Sequence, residues 1–304
     1  MFVIRAPAKV NLALEVLNKR PDGYHEIVSV VQTIELCDEL IFEPSDDLEV
    51  ISENLSVPGE ENLVLRAAEA LQRATLSRKG ARIRLVKRIP AGTGLGGGSS
   101  DAAATLWTLN HLWGCHLPEA ELARLAATLG SDVPFFLIGA TALVEGRGDR
   151  VSPLPQIPPS WLVLVALPAD LPNKTAALYR ALTAADFSDG RRTRLLVERI
   201  SGGHAPSEAL FVNTFERVAD ELFPGLSERR QLLLDAGARS AHLSGSGPAL
   251  YSLEHSAEDA ARVAGRLSAM DVPVLVTRTT SDALRANPPF STEERACRAE
   301  SSVP

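Results

Sequence analysis

The chain has 304 residues, enough for about two domains of typical size. Its 45% hydrophobic and 23% charged residues are the mix of a globular protein that buries a sizeable core. A net charge of −7 with no basic block excludes a long nucleic-acid footprint, yet leaves room for a compact phosphorylated ligand that needs only local positive groups. No apolar run reaches the roughly 18 residues of a membrane span, and Arg5 and Lys9 interrupt the apolar N-terminus where a signal peptide needs an unbroken stretch. Cys37, Cys115 and Cys297 lie far apart with no CxxC pair and read as free thiols in a reducing compartment, so a cytoplasmic location is expected.

In chain order, Val10, Leu12, Leu14 and Val16 alternate with Lys9, Asn11, Ala13 and Glu15. That period of two predicts a strand with one buried face, and it puts Lys9 and Asn11 together on the more polar face. Pro21-Asp22-Gly23 is a turn signal, the β-branched run from Ile27 to Leu36 a second strand, and short strands are expected near 39–43 and 48–51. Leu63, Ala67 and Leu71 predict a helix over 62–73, with Asn62 able to cap it, and Ile83 and Leu85 alternate with Arg82 and Arg84 in a further strand. After a glycine-rich segment, Ala102, Leu106, Leu109 and Trp113 form a helical stripe stopped at Gly114, with Ser99 or Ser100 as its expected cap. Another helix starts near Pro118 and ends at Gly130, beyond which Asp132 or Ser131 is a candidate helix cap. Pro153, Pro155, Pro158 and Pro159 crowd one stretch and mark a boundary, dividing the chain into 1–152, 153–283 and a flexible tail over 284–304. The second part reads as a strand over 161–167, helices through much of 173–236, strand, glycine turn and strand over 241–253, a helix over 257–269 and a strand over 274–280.

The segment Pro90-Ala91-Gly92-Thr93-Gly94-Leu95-Gly96-Gly97-Gly98-Ser99-Ser100 connects strand to helix. Bare N–H groups and the positive end of a helix dipole favour phosphate at such a place, whereas a plain turn has no use for so many conformationally costly glycines. Gly92, Gly94 and Gly97 formally satisfy G-x-G-x-x-G, but the preceding strand is amphipathic and no acidic residue ends a second strand about 20 residues on, which makes a dehydrogenase a distant reading. A Walker loop needs Lys after its last glycine, where this chain has Ser99; the protein-kinase HRD and DFG elements are absent.

P-x-G-x-G-L-G-G-G-S-S-D opening a helix resembles the ATP-binding motif of the GHMP kinases, the superfamily of galactokinase, homoserine kinase and mevalonate kinase. Pro7-Ala8-Lys9-Val10-Asn11-Leu12, Asp22-Gly23-Tyr24-His25, Gly130-Ser131-Asp132-Val133-Pro134 and Leu243-Ser244-Gly245-Ser246-Gly247 match the family's motifs in order, with Asn62-Leu63-Val64 and the segment from Pro172 through Thr175 to Tyr179 beside them. Thr93, Thr214 and Val31 depart from the usual residues.

The resemblance implies an α+β, two-domain GHMP kinase fold: an N-terminal, ribosomal-protein-S5-domain-2-like ATP-binding domain over 1–152 and a C-terminal, ferredoxin-like α/β sandwich over 153–283. It implies Lys9 and Asp132 as catalytic residues and ATP held by Asn62 and residues 90–100. Mg²⁺ is implied, with Ser100 as a candidate ligand. Asn11, Tyr24, His25, Thr175 and Tyr179 are implied to bind substrate, the two tyrosines stacking on cytosine and His25 meeting the cytosine edge. The implied acceptor is a small cytidine diphosphate-linked sugar alcohol, phosphorylated on its 2-hydroxyl in the non-mevalonate route to isoprenoid precursors by a monomer or weak homodimer that binds no nucleic acid and no membrane. A homoserine or mevalonate type of GHMP kinase and a non-catalytic nucleotide-binding regulator stay open as alternatives.

Overall fold

The first strand, β1 (Phe2–Lys19), is buried along both faces from Ala6 to Val16, and the whole fold is arranged around it. The computed structural model describes residues 1–53, 62–167, 171, 173–281 and 284. β1 turns through Pro21-Asp22-Gly23 into β2 (His25–Ser45), its antiparallel partner. β2 is one continuous strand that absorbs the short strand expected near 39–43. One half of it pairs with β4 (Gly80–Val86) and the other with β5 (Thr141–Gly146). β3 (Leu48–Glu53) runs parallel beside β4, and β6 (Arg150–Pro153) returns along β5 through the turn at Arg147 and Gly148.

Helices α1 (Leu63–Thr75), α2 (Gly97–Leu112), α3 (Glu119–Leu129) and α4 (Val133–Ile138) cover this sheet and share a core with Ile4, Ala6, Phe42 and Ile83. Leu284 packs into the same core, while the rest of the tail beyond Ser281 lies outside the described residues, as does Pro172.

The expectation of one buried and one polar face on β1 is corrected here. The β1–β2 register shifts between Pro7 and Ala8, and again between Asn11 and Ala13. Such a bulge inserts a residue and turns the following side chains over. Ile4 and Ala6 therefore pack in the first core, while Ala8, Val10 and Leu12, in the same phase of the alternation, pack against Leu162, Leu164 and Tyr251 instead. Lys9 and Asn11, carried to the helical side between the two shifts, are buried and not solvated.

The segment 154–160 holds no helix or strand and leads to β7 (Trp161–Val165), which pairs with β10 (Leu250–Glu254) and β11 (Leu275–Arg278); β9 (His242–Leu243) completes a four-stranded antiparallel sheet in the order β11-β7-β10-β9. α5 (Lys174–Ala181), α7 (Glu216–Leu222), α8 (Leu226–Asp235) and α9 (Ala257–Ala269) share a core with this sheet, and α6 (Arg191–Ser201) contributes Leu196 and Ile200 to the layer between β1 and the second sheet. A two-residue strand, β8 (Val212–Asn213), leaves the second half of the chain to pair with β1 in parallel. No described helix is long and apolar enough to cross a membrane.

Candidate active site

The glycine segment makes a tight seat because its backbone conformations admit nothing else. Gly94 has φ +87°, and a Cβ there would collide with the Ser244 carbonyl oxygen and stand 2.9 Å from the Gly247 nitrogen. Gly96 has φ +77° and serves as the N-cap of α2 without any side-chain cap bond. The helix therefore starts earlier than the serines suggest. Ser99 and Ser100 are first-turn residues and do not cap it; the Ser100 amide already donates to the Gly96 carbonyl at 2.9 Å. The amides free for an anion are those before Ser100.

Thr93, which departs from the family's usual residue, ties the loop to itself by donating to the Pro90 carbonyl at 2.7 Å. Asn62 is the side-chain cap of α1, accepting from the Val64 amide at 3.0 Å. Asn62 and every loop residue from Pro90 to Ser99 line a cleft of about 400 Å³. Ser100 does not line it: its hydroxyl is fully buried and has no hydrogen-bond partner among the described residues.

Beneath the loop lies a buried ionic group. Lys87 Nζ pairs with Asp38 and, at 2.7 Å, with Asp101, while Asp38 also accepts from the Arg88 and Ile89 amides. Burial pushes the Asp101 carboxyl up to about 7 although Lys87 opposes it, and the two carboxylates outweigh burial to raise Lys87.

A second cavity of about 990 Å³ adjoins the cleft and gathers Lys9, Asn11, Tyr24, His25, Asp132, Thr175 and Tyr179, which are dispersed through the sequence. Gly94, Asp132, Lys174, Thr175 and Ser246 lie on the walls of both. Asp132 occupies the N-cap position of α4 but makes no capping bond; its carboxylate, 52% exposed, lies 3.8 Å from Lys9 Nζ, whose side chain is only 5% exposed. Burial lowers the Lys9 pKa and Asp132 opposes that shift. Lys9 Nζ donates to Asn11 Oδ1 at 2.6 Å, Asn11 Nδ2 to Ser29 Oγ at 2.8 Å, and Ser29 Oγ to the Ala13 carbonyl at 2.6 Å, a chain that leaves the ammonium little freedom. Asn213 on β8 donates to the Leu243 and Gly245 carbonyls, which pins the turn after β9 against β1.

His25 stacks on Tyr179 with centroids 4.7 Å apart and 19° between planes, and burial, aided by Lys19, lowers its pKa. Tyr24 stands at the mouth, 54% exposed, with the Arg147 guanidinium 4.9 Å above its ring. The two tyrosines thus have different partners; Phe187 joins the aromatic wall without a signal in the sequence, and Arg147, in a segment that reads as a turn between strands, joins it as well. Lys174 lies inside the segment from Pro172 to Tyr179, but no role is read for it there, since a lone lysine opening a helix reads as solvated. Its Nζ donates to the Gly92 carbonyl at 2.7 Å and to the Gly247 carbonyl, and Thr175 Oγ1 lies 3.0 Å from Ser246 Oγ. Among the described residues no cluster of three or more His, Cys, Asp or Glu forms a metal centre.

A glycine cradle at a helix start, a carboxylate beside a buried lysine and a separate acceptor cavity define a small-molecule kinase. The chain belongs to the GHMP kinases: the family model "GHMP kinases N terminal domain" matches residues 62–140 and "GHMP kinases C terminal" matches 196–272. A 4-diphosphocytidyl-2-C-methyl-D-erythritol kinase from Dehalococcoides mccartyi is 46% identical over 254 residues, 83% of this chain and 89% of its own. One from Pelotomaculum thermopropionicum is 45% identical over 278 residues, 90% and 96% of the two chains. A crystal structure of a 4-(cytidine 5'-diphospho)-2C-methyl-D-erythritol kinase superposes with a TM-score of 0.78 at 37% identity, covering 92% of this chain and all of the other.

Proposed function

We propose that this chain transfers the γ-phosphoryl group of ATP to the 2-hydroxyl of 4-diphosphocytidyl-2-C-methyl-D-erythritol, a step of the methylerythritol phosphate route to isoprenoid precursors. The observation that carries the reading is the position of Asp132 on the wall shared by the phosphate cleft and the aromatic, basic cavity. The relatives' names agree with it.

Phosphoryl transfer needs positioning and charge stabilisation more than covalent work by the protein. In this reading the loop amides before Ser100 hold the β- and γ-phosphates, and Asp132 orients the acceptor hydroxyl or takes its proton. Lys9 offsets charge on the transferring group. Tyr24 and Tyr179 stack on the base, neutral His25 meets its edge by leaving the Tyr179 face that it covers, and Asn11 and Thr175 seat the sugar alcohol. Mg²⁺ would sit with the phosphates and would neutralise their charge; the buried Ser100 hydroxyl, which does not line the cleft, is not placed to hold it. The enzyme works in the cytoplasm as a monomer or weak homodimer, on a diffusing small molecule and on neither nucleic acid nor membrane.

The test is ADP release with the cytidine-linked acceptor set against homoserine, mevalonate and galactose. Turnover is expected with the first alone. Turnover only with one of the others overturns the substrate, and no ADP release with any acceptor favours a nucleotide-binding regulator.

A further inference from the structure

Three separate stretches of backbone meet at one ammonium group. Lys174, the first residue of α5, donates to Gly92 in the glycine loop and to Gly247 in the turn between β9 and β10. Next to it Thr175 and Ser246 join the same two walls by their hydroxyls. Both of the Lys174 bonds run to neutral carbonyl oxygens, which accept a hydrogen bond without cancelling a unit charge. Among the described residues no carboxylate lies within ion-pair distance of Lys174 Nζ, so its charge faces the opening between the two cavities.

That charge has few neighbours able to balance it. Lys9 on β1 repels it and Asp132 ahead of α4 attracts it. Lys19, His25, Arg147 and Arg180 line the larger cavity with it, and Lys87 and Asp101 line the cleft. Burial, reinforced by Lys9, lowers its pKa to about 8. An anion arriving between the cavities reverses that cost, because it favours the charged form.

We propose that Lys174 is a catalytic residue that contacts the terminal phosphoryl group of ATP as it passes from the glycine loop to the acceptor. The proposal rests on the kinase reading above. In the step, the acceptor hydroxyl oxygen forms a bond to the γ-phosphorus while the bond from that phosphorus to the β–γ bridging oxygen breaks. The bridging electrons leave with ADP, and the hydroxyl proton goes to the side of Asp132. Lys174 neither gives nor takes a proton; its ammonium offsets the charge on the oxygens in transit.

The test compares the full chain with Lys174→Met and Lys174→Arg, following kcat, both KM values, ADP affinity and the unfolding midpoint across the pH range. Lys174→Met is expected to lower kcat about 10²-fold while ADP affinity stays within a few-fold. The parent kcat/KM for ATP is expected to fall as pH rises through about 8, where the ammonium of the free enzyme loses its proton. Arginine keeps its charge at any working pH, so Lys174→Arg is expected to retain most of kcat and to lose this fall. A Lys174→Met enzyme with parental kcat and pH profile overturns the proposal, even if its unfolding midpoint drops, because Lys174 is then a strap only. A fall that persists in Lys174→Arg belongs to Lys9 and overturns it too. Absence of ADP release by the parent with the cytidine-linked acceptor would instead strike the kinase reading itself.

Discussion

Lys9 and Asp132 illustrate how a pair acquires chemistry from unequal burial. The lysine is enclosed and held by Asn11, whereas the carboxylate 3.8 Å away is half open to both cavities. The carboxylate can therefore meet an incoming hydroxyl while the ammonium stays fixed behind it. Asp132→Asn and Lys9→Met are each expected to reduce kcat by about 10²- to 10⁴-fold with ADP still bound near the parental affinity. Near-parental turnover in either variant would remove it from the reaction. The stacked His25–Tyr179 pair predicts a different signature. Tyr179→Ala deletes a face worth about 1–3 kcal/mol per stacked base, so KM for the cytidine-linked acceptor should rise roughly 10- to 100-fold with KM for ATP little changed. Equal rises in both KM values would mean that Tyr179 supports the fold and not the base.

At the scale of elements, the loop and the turn after β9 are built as one unit. Gly94→Ala places a side chain at φ +87° against the Ser244 carbonyl. The variant should lose about 1–3 kcal/mol of stability and weaken ATP binding together; an unchanged unfolding midpoint with unchanged ATP affinity would refute the coupling. The glycine loop, the α1 cap at Asn62 and the α9 and β10 boundaries were legible in the sequence because each rests on local periodicity or turn chemistry. The faces of β1 were not, because register shifts turn its side chains over; Pro7, which has no N–H for the ladder, marks one of them, but nothing in Asn11-Leu12 announces the other. The start of α2 was misplaced for a related reason: serines are the usual caps, yet here glycine in a left-handed conformation starts the helix at Gly97. Lys174 and Arg147 lie in recognisable segments, but their roles were not legible because their partners are two backbone carbonyls and a ring from distant segments.

Across the whole molecule, charge is segregated. The chain carries −7 overall, yet the larger cavity presents Lys9, Lys19, Arg147, Lys174 and Arg180 against Asp132, the one carboxylate on its wall among the described residues. Such a focus draws in an acceptor bearing a diphosphate and is screened by salt, the Debye length shrinking from about 10 Å at 0.1 M to about 3 Å at 1 M. KM for the acceptor should therefore climb with ionic strength while kcat changes less; a KM independent of salt would count against charge steering. The wall common to both cavities constrains the order of events as well. Because the two substrate spaces share a wall, the γ-phosphoryl group can pass directly from one to the other, and transfer needs no phosphorylated form of the protein. Initial-rate plots should intersect, isotope should not exchange between ATP and ADP until the acceptor is added, and a chiral thiophosphoryl donor should emerge with its configuration inverted.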